Sequence, residues 1–137
     1  MASGRENGIQ SWCGQEVAPG QHKVVHILVS ESYSGADIKI PVVVWCGPKP
    51  GPTVFVTGAV HGDEIAGTGS IRNLIYEKPF ELQTGTLVLV PVVNLMGFER
   101  HERYLPDRRD LNRCFPGAKR GSLASRLARK LFDEVVA

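Results

Sequence analysis

The sequence predicts an α/β fold built on a central sheet, and three observations carry that expectation. Two short, almost continuous apolar runs, Thr53–Val60 (TVFVTGAV) and Thr86–Val93 (TLVLVPVV), are rich in β-branched residues. Runs of that kind read as strands buried on both faces. Between them, from about Glu64 to Glu77, the apolar spacing changes to that of a helix. A second amphipathic segment follows a long charged stretch near the end. Strand, helix, strand, loop, helix is an order that layers helices on a sheet.

Taken from the start, residues 1–20 are polar and read as a flexible leader ahead of a domain spanning 21–137. They lack the apolar core of a signal peptide. At 22–31, His22, Val24, His26, Leu28 and Ser30 alternate with Lys23, Val25, Ile27 and Val29, a strand signal. Ser34-Gly35-Ala36-Asp37 is a turn, and Ile38–Trp45 is a second strand in which Pro41 points to an edge or a bulge. Gly47-Pro48-Lys49-Pro50-Gly51-Pro52 reads as a turn by composition. In the helix at 64–77, Ile65, Ile71, Leu74 and Ile75 suit one face, while Gly67 and Gly69 weaken its start. Thr84-Gly85 is a turn. Pro91 argues against a deep central place for the strand that contains it. Residues 94–121 are non-periodic and charged, and long irregular segments in compact domains are often functional. Ser122 can cap a last helix whose apolar face is Leu123, Leu127, Leu131 and Val135.

Composition bounds the function. The chain has 137 residues, 42% hydrophobic and 22% charged, the balance of one soluble globular domain. A formal net charge of +2 gives no ground for nucleic-acid or membrane binding. No apolar run approaches the length of a membrane span, and a cytoplasmic location is the reading. Cys13, Cys46 and Cys114 are scattered and form no C-x-x-C pair, which argues against a disulfide framework or a cysteine zinc knuckle. Basic residues gather between Arg100 and Lys130, interleaved with Glu102, Asp107 and Asp110. That pattern suits a site for a small anion better than a polyanion footprint. Nothing here fixes an oligomeric state.

Two constellations carry chemistry. His61-Gly62-Asp63-Glu64 falls where an apolar strand gives way to a helix. Sites in open α/β sheets form beyond the carboxyl ends of strands. An imidazole nitrogen and a carboxylate three residues apart across a tight corner suit zinc, and Gly62 lets the backbone turn there. The plain alternative is that Glu64 is a favourable charge in the first turn of a helix. The second constellation is Asp110-Leu111-Asn112-Arg113, preceded by Arg103-Tyr104 and Arg108-Arg109. Arginine grips a carboxylate with two parallel hydrogen bonds, and a neighbouring Asn adds a neutral donor. The plain alternative is a solvated charged loop.

Gly58–Glu64 (GAVHGDE), Pro91–Asn94 (PVVN) and Asp110–Arg113 (DLNR) together, in this order and spacing, resemble the succinylglutamate desuccinylase/aspartoacylase family, which is similar to the zinc carboxypeptidases. The resemblance covers approximately residues 38 to 137. It implies a zinc-carboxypeptidase-like mixed sheet flanked by helices, here truncated and carrying a short N-terminal β extension. It implies that His61 and Glu64 are two of three protein ligands to one Zn2+. Asn112 and Arg113 would bind the carboxylate of an N-acyl amino acid, and Arg103 would polarise the scissile carbonyl, with Arg108 and Arg109 as rivals. Asp63 could orient His61, and Asp110 would shape the Asn112-Arg113 turn. The family's third ligand, a histidine, and its general-base glutamate would follow Ala137, so these 137 residues are expected to be a truncation and inactive alone, with apolar surface uncovered at Thr53–Val60 and Thr86–Val93. His22, His26 and His101 do not stand in the missing ligand's place. The implied reaction is hydrolysis of an N-acyl amino acid to a carboxylate and a free amino acid. Rival readings are a zinc carboxypeptidase acting on peptides and a metal-free module that captures a carboxylate.

Overall fold

The computed structural model describes residues 8–31 and 36–136. The elements in order are β1 (Gln10–Trp12), β2 (Gln15–Val17), β3 (His22–Glu31), β4 (Asp37–Cys46), β5 (Lys49–Thr57), α1 (Ala66–Glu77), β6 (Thr84–Val90), α2 (Leu95–Arg100), a 3-10 turn (Leu111–Arg113) and α3 (Leu123–Leu131). A π-helical turn at Phe132–Val136 extends α3. The strands β3-β4-β6-β5 form one sheet. β3 with β4 and β4 with β6 pair antiparallel, and β5 with β6 pair parallel. The α/β class with a mixed sheet is as expected. The turn at Ser34–Asp37 lies largely outside the described residues.

The central strands β4 and β6 are covered on both faces, and β4 shows why its sequence is apolar without a break. Val42, Val44 and Cys46 point into one core with Val25, Ile27, Val88, Val90, Leu127 and Leu131. Val43 and Trp45 point into the other, with Ile71 of α1 and Leu89. Pro41 sits opposite His26 of β3, whereas β4 pairs with β6 only from Val43 to Cys46. The missing N–H at Pro41 therefore falls where the strand is locally an edge. Pro91 lies just past the end of β6, which stops at Val90.

Three expectations need correction. Residues 8–20 are not a loose leader: β1 and β2 pair antiparallel, and Trp12 and Val17 are buried in the larger core. Gln10 is buried as well, exchanging hydrogen bonds with the Thr86 hydroxyl at 2.8 and 3.0 Å while its Oε1 accepts from Trp12 Nε1. Two apolar side chains, Trp12 and Val17, together with the hydrogen-bonded Gln10, dock this polar-looking stretch. The Pro- and Gly-rich stretch 49–52 is not a separate turn. It begins β5, with an irregular register between Lys49 and Thr53 that accommodates the prolines. Finally, β5 is not buried on both faces. It is one of the two edge strands of the sheet, and Val54 is 52% exposed. Uncovered apolar surface is thus present on β5, but not on β6, where Val88, Leu89 and Val90 are fully buried.

The two helices seen in the sequence are there, with adjusted ends. α1 starts at Ala66, and Ile65, at 59% exposure, is off the buried face that Ile71 leads. α3 starts after Ser122, whose side-chain oxygen accepts from Ser125 N, and it buries Ala124, Leu127, Ala128 and Leu131. α2 was not expected within the charged stretch.

Candidate active site

The parallel strands β5 and β6 end on the same side of the sheet, and their following loops stay hydrogen-bonded to one another. Gly58 N donates to Val90 O, Val93 N to Gly58 O and Asn94 N to Ala59 O, each at 2.9 Å. This ladder lays Gly58–Glu64 beside Pro91–Asn94, so two of the sequence blocks are neighbours in space. Ala59 adopts φ +49°, a left-handed conformation unusual for a residue with a Cβ. It lies two residues before His61, and such strain collects at functional sites.

His61 is 7% exposed and sits in the corner between β5 and α1. Its Nδ1 lies 3.2 Å from Oε1 of Glu64, and its Nε2 lies 2.8 Å from Oδ1 of Asp110. Arg103 Nη1 donates to the same Glu64 oxygen at 3.1 Å. His61, Glu64, Arg103 and Asp110 therefore form one connected cluster. Glu64 precedes α1 and is not in its first turn, so the helix-charge alternative for that residue does not hold. Gly62 is needed for a reason other than turning. A Cβ there would stand 2.2 Å from the carbonyl carbon of Gly97 and 2.4 Å from Glu102 O and Phe98 N. The His61 corner is pressed directly onto the backbone of α2 and the segment after it.

Asn94 makes that contact possible. It is fully buried, caps α2 by accepting from Gly97 N at 2.9 Å, and donates through Nδ2 to Arg103 O at 3.3 Å. Gly62 N donates to the same Arg103 carbonyl at 3.4 Å. The backbone of Arg103 is thus tied to both loops, which fixes where its side chain emerges. Arg108 and Arg109, the rivals of Arg103, are exposed and make no contact with His61 or Glu64 among the described bonds.

Asp110 has two duties. Its Oδ1 accepts from Asn112 N at 2.9 Å, which shapes the 3-10 turn as expected, and it also holds the His61 ring. The ring partner is Asp110 rather than Asp63. Desolvation pushes the Asp110 carboxyl up, but the His61 bond, the Asn112 amide and the nearby Arg103 charge outweigh it and hold the acid below the usual carboxylate range. Desolvation likewise works against the charge of Arg103, and the Glu64 carboxylate more than offsets it, so this guanidinium is held more firmly protonated than usual. Asn112 and Arg113 ride on the 3-10 turn with exposed side chains, and among the described residues no bond engages those side chains.

The donor set fits a metal ion. In the tautomer that donates Nε2–H to Asp110, the lone pair of Nδ1 faces the Glu64 carboxylate. Two acceptors at 3.2 Å need a proton or a cation between them. Two ligands that share a tetrahedral zinc at its usual bond lengths stand roughly 3.3–3.5 Å apart. A carboxylate on the far ring nitrogen is the common partner of a metal-binding histidine. Among the described residues no group of three such donors is placed to hold a metal.

Comparison with known proteins shows the family. The family model for the succinylglutamate desuccinylase/aspartoacylase catalytic domain matches residues 50–136. The chain belongs to this family. It is 35% identical over 111 residues to the N-alpha-acetyl-L-2,4-diaminobutyric acid deacetylase of Halomonas elongata, covering 79% of this chain and 32% of that protein. The crystal structure of an aspartoacylase family protein from Mesorhizobium loti is similar with a TM-score of 0.75 and 28% identity, over 87% of this chain and 38% of that one. The product-bound ectoine utilization protein EutE (DoeB) of Ruegeria pomeroyi is similar with a TM-score of 0.72 and 28% identity, over 96% of this chain and 40% of that one. The chain thus spans about a third of the length of the curated relative it matches. Among the described residues no helix is long and apolar enough to cross a membrane.

Proposed function

We propose that this chain carries part of the catalytic site of a zinc-dependent hydrolase that cleaves N-acyl amino acids to a carboxylate and a free amino acid. The observation that carries the reading is the convergence of His61, Glu64 and Arg103 at the carboxyl end of β5, with Nδ1 and Oε1 spaced as two ligands of one ion. The family is one of deacylases, and the deacetylase relative favours an amino acid amide over a peptide substrate.

His61 Nδ1 and Glu64 Oε1 would hold Zn2+, together with a third protein ligand supplied from outside the described cluster. When bound, the ion supplies a water of lowered pKa and polarises the amide carbonyl. Asp110 keeps the proton of His61 on Nε2, so that Nδ1 is free to bind. The Arg103 guanidinium, held beside Glu64, would stabilise the negative charge that develops on the carbonyl oxygen. Asn112 and Arg113, whose side-chain donors meet no partner among the described residues, would grip the amino acid carboxylate and hold the substrate in the site. A small-molecule substrate of this kind explains the local arginines without any polyanion.

The test is hydrolysis of a panel of N-acetyl, N-succinyl and N-acetyl-diamino acids by the full-length protein, beside short peptides. Metal-dependent release of free amino acid from one of the N-acyl substrates supports the reading. Turnover confined to peptides sinks it in favour of a carboxypeptidase.

A further inference from the structure

We propose that Asp107 is a positioning residue that holds the carboxylate-binding turn in place, a role that rests on the reading of Asn112 and Arg113 given above. The segment between Arg103 and Asn112 is anchored at two core leucines, Leu105 and Leu111, both buried in the larger cluster. Between them the chain runs over the surface in a tight turn. Arg108 N donates to Leu105 O at 2.8 Å, and Leu105 N donates to Arg109 O at 3.3 Å. Closing that turn puts Arg108 at φ +61°, a left-handed conformation that is costly for an L-residue with a side chain. Something must hold the turn against this cost.

Asp107 does so with both carboxylate oxygens. Oδ1 accepts from Arg109 N at 3.2 Å, within the turn itself. Oδ2 accepts from Ala124 N at 3.0 Å, in the first turn of α3. Ala124 is fully buried, so the second bond ties the surface turn to the core. An anion at that end of a helix is also favoured by the helix dipole. One residue after Arg109 comes Asp110, whose Oδ1 takes both Asn112 N and His61 Nε2. The order of contacts is therefore α3, Asp107, Arg109, Asp110, and then the Asn112-Arg113 turn on one side and His61 on the other. Asp107 touches neither candidate ligand nor the candidate carboxylate-binding side chains. It acts by fixing the backbone from which Asn112 and Arg113 project. A shift of that backbone breaks the paired hydrogen bonds with which Asn112 and Arg113 would hold the carboxylate, and so weakens substrate binding.

The experiment compares wild-type, Asp107→Ala and Asp107→Asn full-length protein by steady-state kinetics on an N-acetyl amino acid and by amide hydrogen exchange at Asn112. Asp107→Ala is expected to raise KM at least 10-fold with kcat within about 3-fold, and to lower Asn112 protection at least 10-fold. Asp107→Asn, which keeps one acceptor oxygen, should fall between the two and serves alone if the alanine variant does not fold. Unchanged KM, or a fall confined to kcat, overturns the proposal. If the wild type turns over no N-acyl substrate, the functional reading is what fails, and Asn112 protection still decides: loss in the variants upholds the positioning role, and undiminished protection overturns it.

Discussion

Nε2 of His61 and Oδ1 of Asp110 stand 2.8 Å apart although 49 positions separate them in the chain. That one contact joins the strand-end corner to the arginine-bearing turn and assigns the two ring nitrogens different work. Replacing Asp110 by Ala should weaken zinc binding by roughly 10–100-fold, the usual cost of losing such a partner. Asp110→Asn, which keeps a hydrogen-bond acceptor without the charge, should cost less. Competition against a zinc chelator measures both, and equal affinity in all three proteins would remove Asp110 from the site.

Gly62 is the least replaceable residue of the corner. Gly62→Ala puts a methyl carbon 2.2–2.4 Å from three backbone atoms of the α2 region, none of which can swing away. We expect a loss of about 2–3 kcal/mol of stability, read as a lower urea midpoint. A midpoint equal to wild type would mean that α2 does not pack on this loop.

Ala59 predicts the opposite sign. At φ +49° it carries a conformational cost that glycine does not. Ala59→Gly should stabilise the fold by about 1 kcal/mol, visible as a higher urea midpoint with an unchanged slope. Destabilisation would show that the buried methyl outweighs the backbone term.

Burial pushes the Cys13 thiol up to about 11, with Glu134 adding to the shift. The folded state therefore holds this proton more tightly than the unfolded chain does. The resulting stabilisation is complete below pH about 9, the ordinary thiol value, and is lost as pH rises through about 11. Cys13→Ser should flatten that part of the alkaline stability profile. In the native protein, alkylation of Cys13 by iodoacetamide at pH 8 should run roughly 100-fold slower than for a free thiol, because the thiolate is the reactive form. Mass spectrometry of timed samples checks this, and alkylation at the free-thiol rate contradicts it.

Much of this was legible in the sequence, for identifiable reasons. β4 and β6 declare themselves because they are covered on both faces, and α3 because Ser122 caps it and its leucines recur at helical spacing. The edge position of β5 is not legible, because a composition rich in Val and Thr does not say which strand lies at the edge. The docked β1-β2 pair leaves little signal in the sequence, because Trp12 and Val17 are few among polar residues and gain their burial only from the sheet. α2 was hidden by its charges, although Asn94 ahead of Leu95 and Met96 is an N-cap signal that would have revealed it. In the site, the block from His61 to Glu64 was readable as chemistry because its two donors are local. The joining of Asp110 to His61, of Asn94 to Arg103 and of Asp107 to Ala124 was not, since these contacts depend on how distant segments fold back.

If His61 and Glu64 hold a catalytic zinc, each is needed for the ion to stay bound. Metal content, measured on the full-length protein and on its His61→Ala and Glu64→Ala variants, decides this. About one zinc per chain is expected in the wild type, with loss of both metal and N-acyl amino acid hydrolysis in each variant. Zinc retained at full stoichiometry in both variants, with hydrolysis intact, would contradict it.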